Sequence, residues 1–343
     1  MEFGFLLGDQ PLSVPPEDHL DLLLRNVEAG QRAGFTHFTI GQHFLYSDYR
    51  WLQPIPILAR LAAEIDDHVR IGTTVLVGPL QHPVQLAEDL ATLDIITGGK
   101  LIVGLGTGYL EREYAAFDKP YKQRYGMLEE QIELLTALWT QDRVTFDGKY
   151  WQLDDVTTHV HPIQRPRPPI WLGAMKKVGV RRAARSGDVW TITPQQTVDE
   201  VEQLVRIYAD ERRALGLPLN PFPLRRELQV ADSYDDALRD FATVARGKYV
   251  SYASQGMGLL DQERVEREFL ANVADHVLLG TGEQVRDQIA AIAARLPIGP
   301  LLVRPHWPGM DAEQSASYLE RVGREVVAPL RDLQSVGFEA LAA

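Results

Sequence analysis

The chain contains no cysteine. Disulfides, thiolate metal ligands and cysteine nucleophiles are thereby excluded together, and a reducing cytoplasm suits such a chain. No apolar run is long enough to span a bilayer. The first residues, Met1-Glu2-Phe3-Gly4-Phe5, lack the basic stretch of a secretory signal; they read as a first strand. No H-E-x-x-H pair, phosphate-loop lysine or G-x-S-x-G elbow occurs, so zinc-protease, P-loop and α/β-hydrolase chemistry lose their usual support. His159-Val160-His161 offers only two close metal ligands, in a proline-rich loop, where a site needs three or four; no metal is expected. Basic residues come in short pairs, Lys176-Lys177, Arg181-Arg182 and Arg225-Arg226, with no stripe to hold nucleic acid. The expectation is a cytoplasmic protein with neither a membrane nor a nucleic-acid partner.

What is present is an ordinary globular composition, 45% hydrophobic over 343 residues, with a net charge of −12 spread along the chain. Strand-like and helix-like segments alternate throughout. Phe3 to Leu7, His37 to Gly41, Ile71 to Val77, Leu101 to Leu105, Ile170 to Leu172, Asp188 to Ile192, Arg225 to Ala231 and Leu301 to Arg304 are apolar or β-branched runs that read as strands. Helical spacing separates them, with proline at the start of the segment from Pro83 and capping boxes at Thr197-Glu200 and Thr281-Gln284. Asp147-Gly148 marks a hairpin within Thr145 to Tyr150. Eight strands, each followed by helix, predict a single α/β domain over residues 1–343. The expected fold is a (β/α)8 TIM barrel with long insertions after strands 4 and 7. The open doubly wound alternative would favour a glycine fingerprint after the first strand, and none is there.

In a barrel the site lies at the C-terminal ends of the strands. Strand two ends at His43, a group able to bind a ligand or move a proton near neutral pH; a loop histidine satisfied by backbone is the plainer reading. Gly104, Gly106 and Gly108 let backbone approach a ligand, or else serve tight packing where the strand leaves the barrel. Ala174, Met175, Lys176 and Gly179 form a turn entering a helix, suited to a phosphate or simply to solvent. Arg304, His306 and Trp307 offer a cation, a titratable ring and an aromatic wall, with Trp51 and Tyr109 as further pocket candidates. Lys248 and Tyr252 are candidates of the same kind as Trp51 and Tyr109.

These strings resemble one family. VRIGTTVLVGPLQHPVQLAEDLATLDIITGGKLIVGLGTGY (Val69 to Tyr109) looks like the central block of the bacterial-luciferase-like flavin enzymes. GQHF at strand two, RYGMLEEQIELLTALW, PPIWLGA, RRAARSGD, VLLGTGEQV and EVVAPL follow in the family's order. GPLLVRPHWPGM near the last strand looks like a flavin-dependent branch other than true luciferase. The resemblance implies a barrel, commonly a homodimer, that binds FMN or the deazaflavin F420. By it Gly72, Thr73, Thr74 and Val75 line the flavin ring, with a non-prolyl cis peptide between Thr74 and Val75. Thr107 and the Ala174 to Gly179 turn match the phosphate positions. Two departures stand out. Luciferases carry arginine where this chain has Thr107. They also carry a histidine pair where it has Gln42-His43, and the catalytic member aligns with Gln42. The glutamate of F420-dependent sugar-phosphate dehydrogenases is replaced near Tyr109. The activity implied is a two-component monooxygenase acting on a small organic substrate with O2 and reduced FMN from a separate flavin reductase, with His43 catalytic. An F420-dependent hydride-transfer enzyme and a non-catalytic flavin-binding protein are the alternatives.

Overall fold

A computed structural model describes residues 1–255, 269, 276–304 and 307–341. Its centre is a parallel sheet of nine strands: β1 (Phe3–Leu7), β2 (His37–Ile40), β3 (Arg70–Thr73), β4 (Leu101–Gly106), β5 (Ile170–Gly173), β6 (Val189–Thr191), β7 (Phe222–Val230), β8 (Val277–Gly280) and β9 (Ile298–Arg304). Their order is β6-β5-β4-β3-β2-β1-β9-β7-β8. β6, one end of the sheet, also lies against β7, the strand next to the other end. Helices connect the strands, and the sheet is buried, as parallel sheets are: Phe5, Ile71, Val103, Leu172, Leu224 and Leu301 have no exposure or almost none. Because the strands run parallel, all their C-terminal ends lie on one side. Among the described residues no helix is long and apolar enough to cross a membrane.

Eight of these strands were legible in the sequence; β8 was not. It pairs with the second half of β7, Glu227 opposite Val277. Its four residues are too few to separate a strand from the run-up to the helix Gly282–Ala293. The third expected strand also ends early. β3 stops at Thr73, the Thr74–Val75 peptide is cis as the resemblance implied, and Leu76–Val77 then pairs with β4. β4 fits beside it through glycine, since a Cβ on Gly104 would lie 1.8 Å from the Thr73 carbonyl oxygen. Both expected capping boxes are formed, and a third, Asp311 with Gln314, starts the helix Ala312–Val322. The hairpin joins Arg143–Asp147 to Gln152–Thr157 through a wider turn than Asp-Gly alone predicts. The Glu130 carboxylate accepts from the amides of Lys149, Tyr150 and Trp151 at 2.7–2.8 Å and holds that turn open.

His37, in β2, is buried. Burial first, then the positive charge of Arg70, push its imidazole from 6.5 down to about 4. The folded state therefore prefers the neutral ring. Its contribution is complete above pH 6.5 and is lost as pH falls from 6.5 towards 4. Urea titrations at pH 7.5 and pH 5 are expected to show about 2 kcal/mol of loss that disappears in His37→Gln. Equal pH dependence in the two proteins would show that His37 is not responsible.

Candidate active site

The strand ends open into a cavity of about 550 Å³. Segments far apart in sequence line it: Gly41 to His43 after β2, Thr74 and Val75 after β3, Gly106 to Tyr109 after β4, Gly173 to Lys176 after β5, and Thr191 to Gln195 after β6. Of the expected residues, His43, Trp51, Thr74, Val75, Gly106, Thr107, Gly108, Tyr109, Ala174, Met175, Lys176, Gly179 and Arg304 are brought together there. Gly72, Thr73 and Trp307 are not among its walls. A Cβ on Gly72 would lie 2.4 Å from the Ile102 carbonyl oxygen, so this glycine permits β3 to pack on β4. Thr73 is buried, its hydroxyl donating to the Gly104 carbonyl and accepting from the Gly104 amide, both at 2.8 Å. Trp307 is packed edge-on against Phe241 in a separate cluster beneath the helix Tyr234–Ser254, with the Arg304 guanidinium 5.5 Å from its ring centre. His306 lies outside the described residues.

His43 sits in an aromatic corner, its ring 4.8 Å from Trp51, 5.1 Å from Tyr46 and 5.4 Å from Tyr109. Its Nδ1 is 3.1 Å from Oε1 of Glu113, a fully buried carboxylate that also accepts the Phe44 amide at 2.7 Å. A carboxylate accepts only, so Nδ1 carries the hydrogen, and Nε2 is left as the ring atom able to meet a ligand. Gln42, beside it, is occupied differently. Its Oε1 accepts the Val77 amide at 2.9 Å, its Nε2 donates to Gln53 at 2.9 Å, and its amide donates to the Val75 carbonyl at 3.1 Å. Gln42 thus braces the segment around the cis peptide.

One end of the cavity is cationic and open to water. Lys176 stands immediately before the helix Lys177–Ser186, whose first amides are unpaired within the helix. Arg124 stacks on Tyr121 at 3.7 Å and hydrogen-bonds the Tyr121 carbonyl at 2.8 Å, while Arg182 pairs with Glu129 at 3.1 Å. The deep end is built by Arg225 and Glu227 of β7, Arg304 of β9 and Tyr252. Arg304 lies 4.0 Å from Glu227 and 3.8 Å from Asp9. Behind them Lys248 pairs with Asp9, both fully buried, and its ammonium lies 4.2–5.9 Å from the rings of Tyr46, Tyr49, Trp51 and Tyr252. Burial pushes the Glu227 carboxyl up from its ordinary value, opposed by Arg304, by the Tyr249 hydroxyl that donates to it and by Arg225.

The walls suit a long, flat ligand with one anionic end. Gly106 and Gly173 leave room beside Val75 that side chains would close: a Cβ on Gly106 would lie 2.6 Å from the Val75 methyl carbon. Five buried polar atoms of the lining have no protein partner among the described residues: Trp51 Nε1, Arg124 Nε, Thr191 Oγ1, Thr193 Oγ1 and Gln195 Oε1. Unpaired buried polar atoms in a cavity are what a ligand with polar ring edges satisfies. Both FMN and F420 meet this description. Sequence reasoning missed Glu113, Glu227, Arg225 as a lining residue, Arg124 and the Thr191 to Gln195 segment. Among the described residues no group of three or more histidines and carboxylates can hold a metal ion.

An FMNH2-dependent dimethylsulfone monooxygenase of Pseudomonas putida is 26% identical over 286 residues, 78% of this chain and 76% of that protein. The oxygenase component of a flavin-dependent trigonelline monooxygenase of Acinetobacter baylyi is 26% identical over 330 residues, 90% of this chain and 89% of the relative. An F420-dependent glucose-6-phosphate dehydrogenase of Segniliparus rotundus is 32% identical, but over 50% of this chain and 52% of its own length. The same fold is found in the monooxygenase RslO1 of Streptomyces bottropensis, with a TM-score of 0.83 at 24% identity over 96% of this chain and 99% of that one. Residues 1–297 match the luciferase-like monooxygenase family, and this chain belongs to that family of flavin-dependent oxidoreductases.

Proposed function

We propose that the protein is the oxygenase component of a two-component monooxygenase: it takes reduced FMN from a separate flavin reductase and, with O2, oxygenates a small organic substrate. The observation that carries this reading is the 550 Å³ cavity, with a glycine-relieved wall at Val75, five unpaired polar atoms and a cationic mouth. The relatives named above that match along most of the chain are an FMNH2-dependent and a flavin-dependent monooxygenase, whereas the F420-dependent glucose-6-phosphate dehydrogenase matches half of it. On this reading the nine strands form the (β/α)8 barrel with β8 as an added strand, the long connections after β4 and β7 are its insertions, and residues 1–343 form one domain. A cytoplasmic homodimer is part of the same proposal.

When bound, reduced FMN would supply the two electrons needed for one oxygen atom of O2 to pass to substrate and the other to leave as water. The protein's own residues do the rest. Thr74, Val75 and Gly106 to Gly108 give the ring a flat wall, and Lys176 with Thr107, Ala174, Met175 and Gly179 holds the phosphate. Trp51, Tyr109 and Tyr252 exclude water from the aromatic corner. His43, held by Glu113, handles a proton at Nε2.

Side-by-side anaerobic titration with FMNH2 and reduced F420 tests the assignment. FMNH2 is expected to bind tighter by about tenfold or more, and O2 is then expected to be consumed with formation of an oxygenated product from a turned-over substrate. Tighter F420 binding would transfer the protein to hydride transfer. Binding of neither would overturn the flavin reading.

A further inference from the structure

Among the described residues, the deep end of the cavity carries more positive charge than its carboxylates offset. Arg225 and Arg304 both face it. Lys248 pairs with Asp9 Oδ2 and Arg304 lies 3.8 Å from Asp9 Oδ1, so among the described residues Asp9 and Glu227 stand as two carboxylates against the three cations Lys248, Arg225 and Arg304. Tyr249 already donates to Glu227. Among the described residues no carboxylate hydrogen-bonds Arg225, although the charges of Glu227 and Arg304 both reach it. Arg226, buried on the other face, donates Nη1 to the Arg225 carbonyl, and its Nη2 has no hydrogen-bond partner among the described residues. Burial, with Arg304 adding to it, pushes Arg225 down from 12.5 to about 10, so it stays charged at neutral pH.

Arg225 is half-buried and Arg304 buried; under-compensated guanidiniums in such a place are costly, and an anion that enters the cavity would pair with them. The cofactor phosphate is not that anion. Its residues follow β4 and β5 at the open mouth, where Lys176 is exposed, whereas Arg304 is 4% exposed. Trp51, Tyr109 and Tyr252 supply flat apolar surface beside the two guanidiniums. We infer that the substrate is a small organic oxyanion, a carboxylate or a sulfonate on an apolar or aromatic body, whose charged group is held by Arg225 and Arg304. The inference rests on the flavin reading only for its choice of which end of the cavity is left to substrate.

Calorimetric titration of the full chain with benzoate, benzenesulfonate and neutral benzamide tests it. At least one anion is expected to bind about tenfold or more tighter than benzamide, and which one does separates carboxylate from sulfonate. Arg225→Met is expected to erase the preference and Arg225→Lys to restore part of it; Arg225→Gln replaces the methionine variant if that fails to fold. Equal binding of benzamide, absence of anion binding, or a preference unchanged in Arg225→Met would overturn the inference. FMNH2 affinity of Arg225→Met is expected to match the parent's. Loss of FMNH2 along with the anion would put Arg225 on the cofactor and overturn the inference. A parent that prefers the anion yet binds no flavin would overturn the flavin reading and leave this one standing.

Discussion

His43→Phe is expected to lower turnover by about 100-fold or more while FMNH2 affinity stays close to the parent's. Phenylalanine keeps a flat ring in the corner made by Tyr46, Trp51 and Tyr109, so packing is nearly conserved. What it removes is a ring nitrogen facing the cavity. The buried Glu113 fixes which nitrogen that is, since its Oε1 receives both the His43 Nδ1 hydrogen and the Phe44 amide. Glu113→Gln keeps an acceptor for those two donors and removes the charge that stabilises a protonated ring. A loss of about tenfold is expected there, with little added loss when it is combined with His43→Phe, because Glu113 acts through the histidine. Unchanged kcat in His43→Phe would remove His43 from the chemistry. An additive double variant would show that Glu113 serves the fold instead.

The frame of this molecule was written locally, and its charges were not. Strands of a buried parallel sheet are apolar runs bounded by glycine and proline, which is why β1 through β7 and β9 could be read from the chain. The glycine-lined wall was legible for a related reason: Gly106, Gly108 and Gly179 stand where a strand or turn leaves the core. Glu113, by contrast, reaches His43 from 70 residues away, and no periodicity reports a contact of that kind. Arg225-Arg226 reads as a solvated basic pair until it is placed on β7. Side chains alternate along a strand, so Arg225 and Glu227 share one face and Arg226 takes the other. A parallel strand buried on both faces has no solvent for either set. Three consecutive charges inside FPLRRELQV were therefore a signal of a polar interior, visible once the strand was recognised as central. Trp307 misled in the opposite sense. It follows the end of β9 closely, as a pocket residue would, yet its ring is turned into the cluster around Phe241.

Lys248→Met is expected to cost about 3–5 kcal/mol of stability, the largest loss from any single change considered in this protein. Neither partner of the Lys248–Asp9 pair reaches solvent. Burial pushes the lysine ammonium well down, with Arg304 adding to the push, and contact with Asp9 works against both. Methionine fills much the same space among the four rings but leaves Asp9 ionised in a dry interior, where Arg304 at 3.8 Å is too far to hydrogen-bond it. The cost is thus that of an orphaned carboxylate rather than of a lost contact. Adding Asp9→Asn removes the orphaned charge, and the double variant is expected to recover more than half of the loss in urea unfolding. Because Lys248 lies behind Arg304 and Tyr252 rather than on the cavity, flavin affinity is expected to survive in the double variant. If Lys248→Met is as stable as the parent, Asp9 is neutral in the fold, and Arg225 and Arg304 then face the cavity with even less to balance them. If the double variant is no more stable than the single one, the loss comes from the cation's contacts with the four rings instead, and the pair is a packing element of the deep wall.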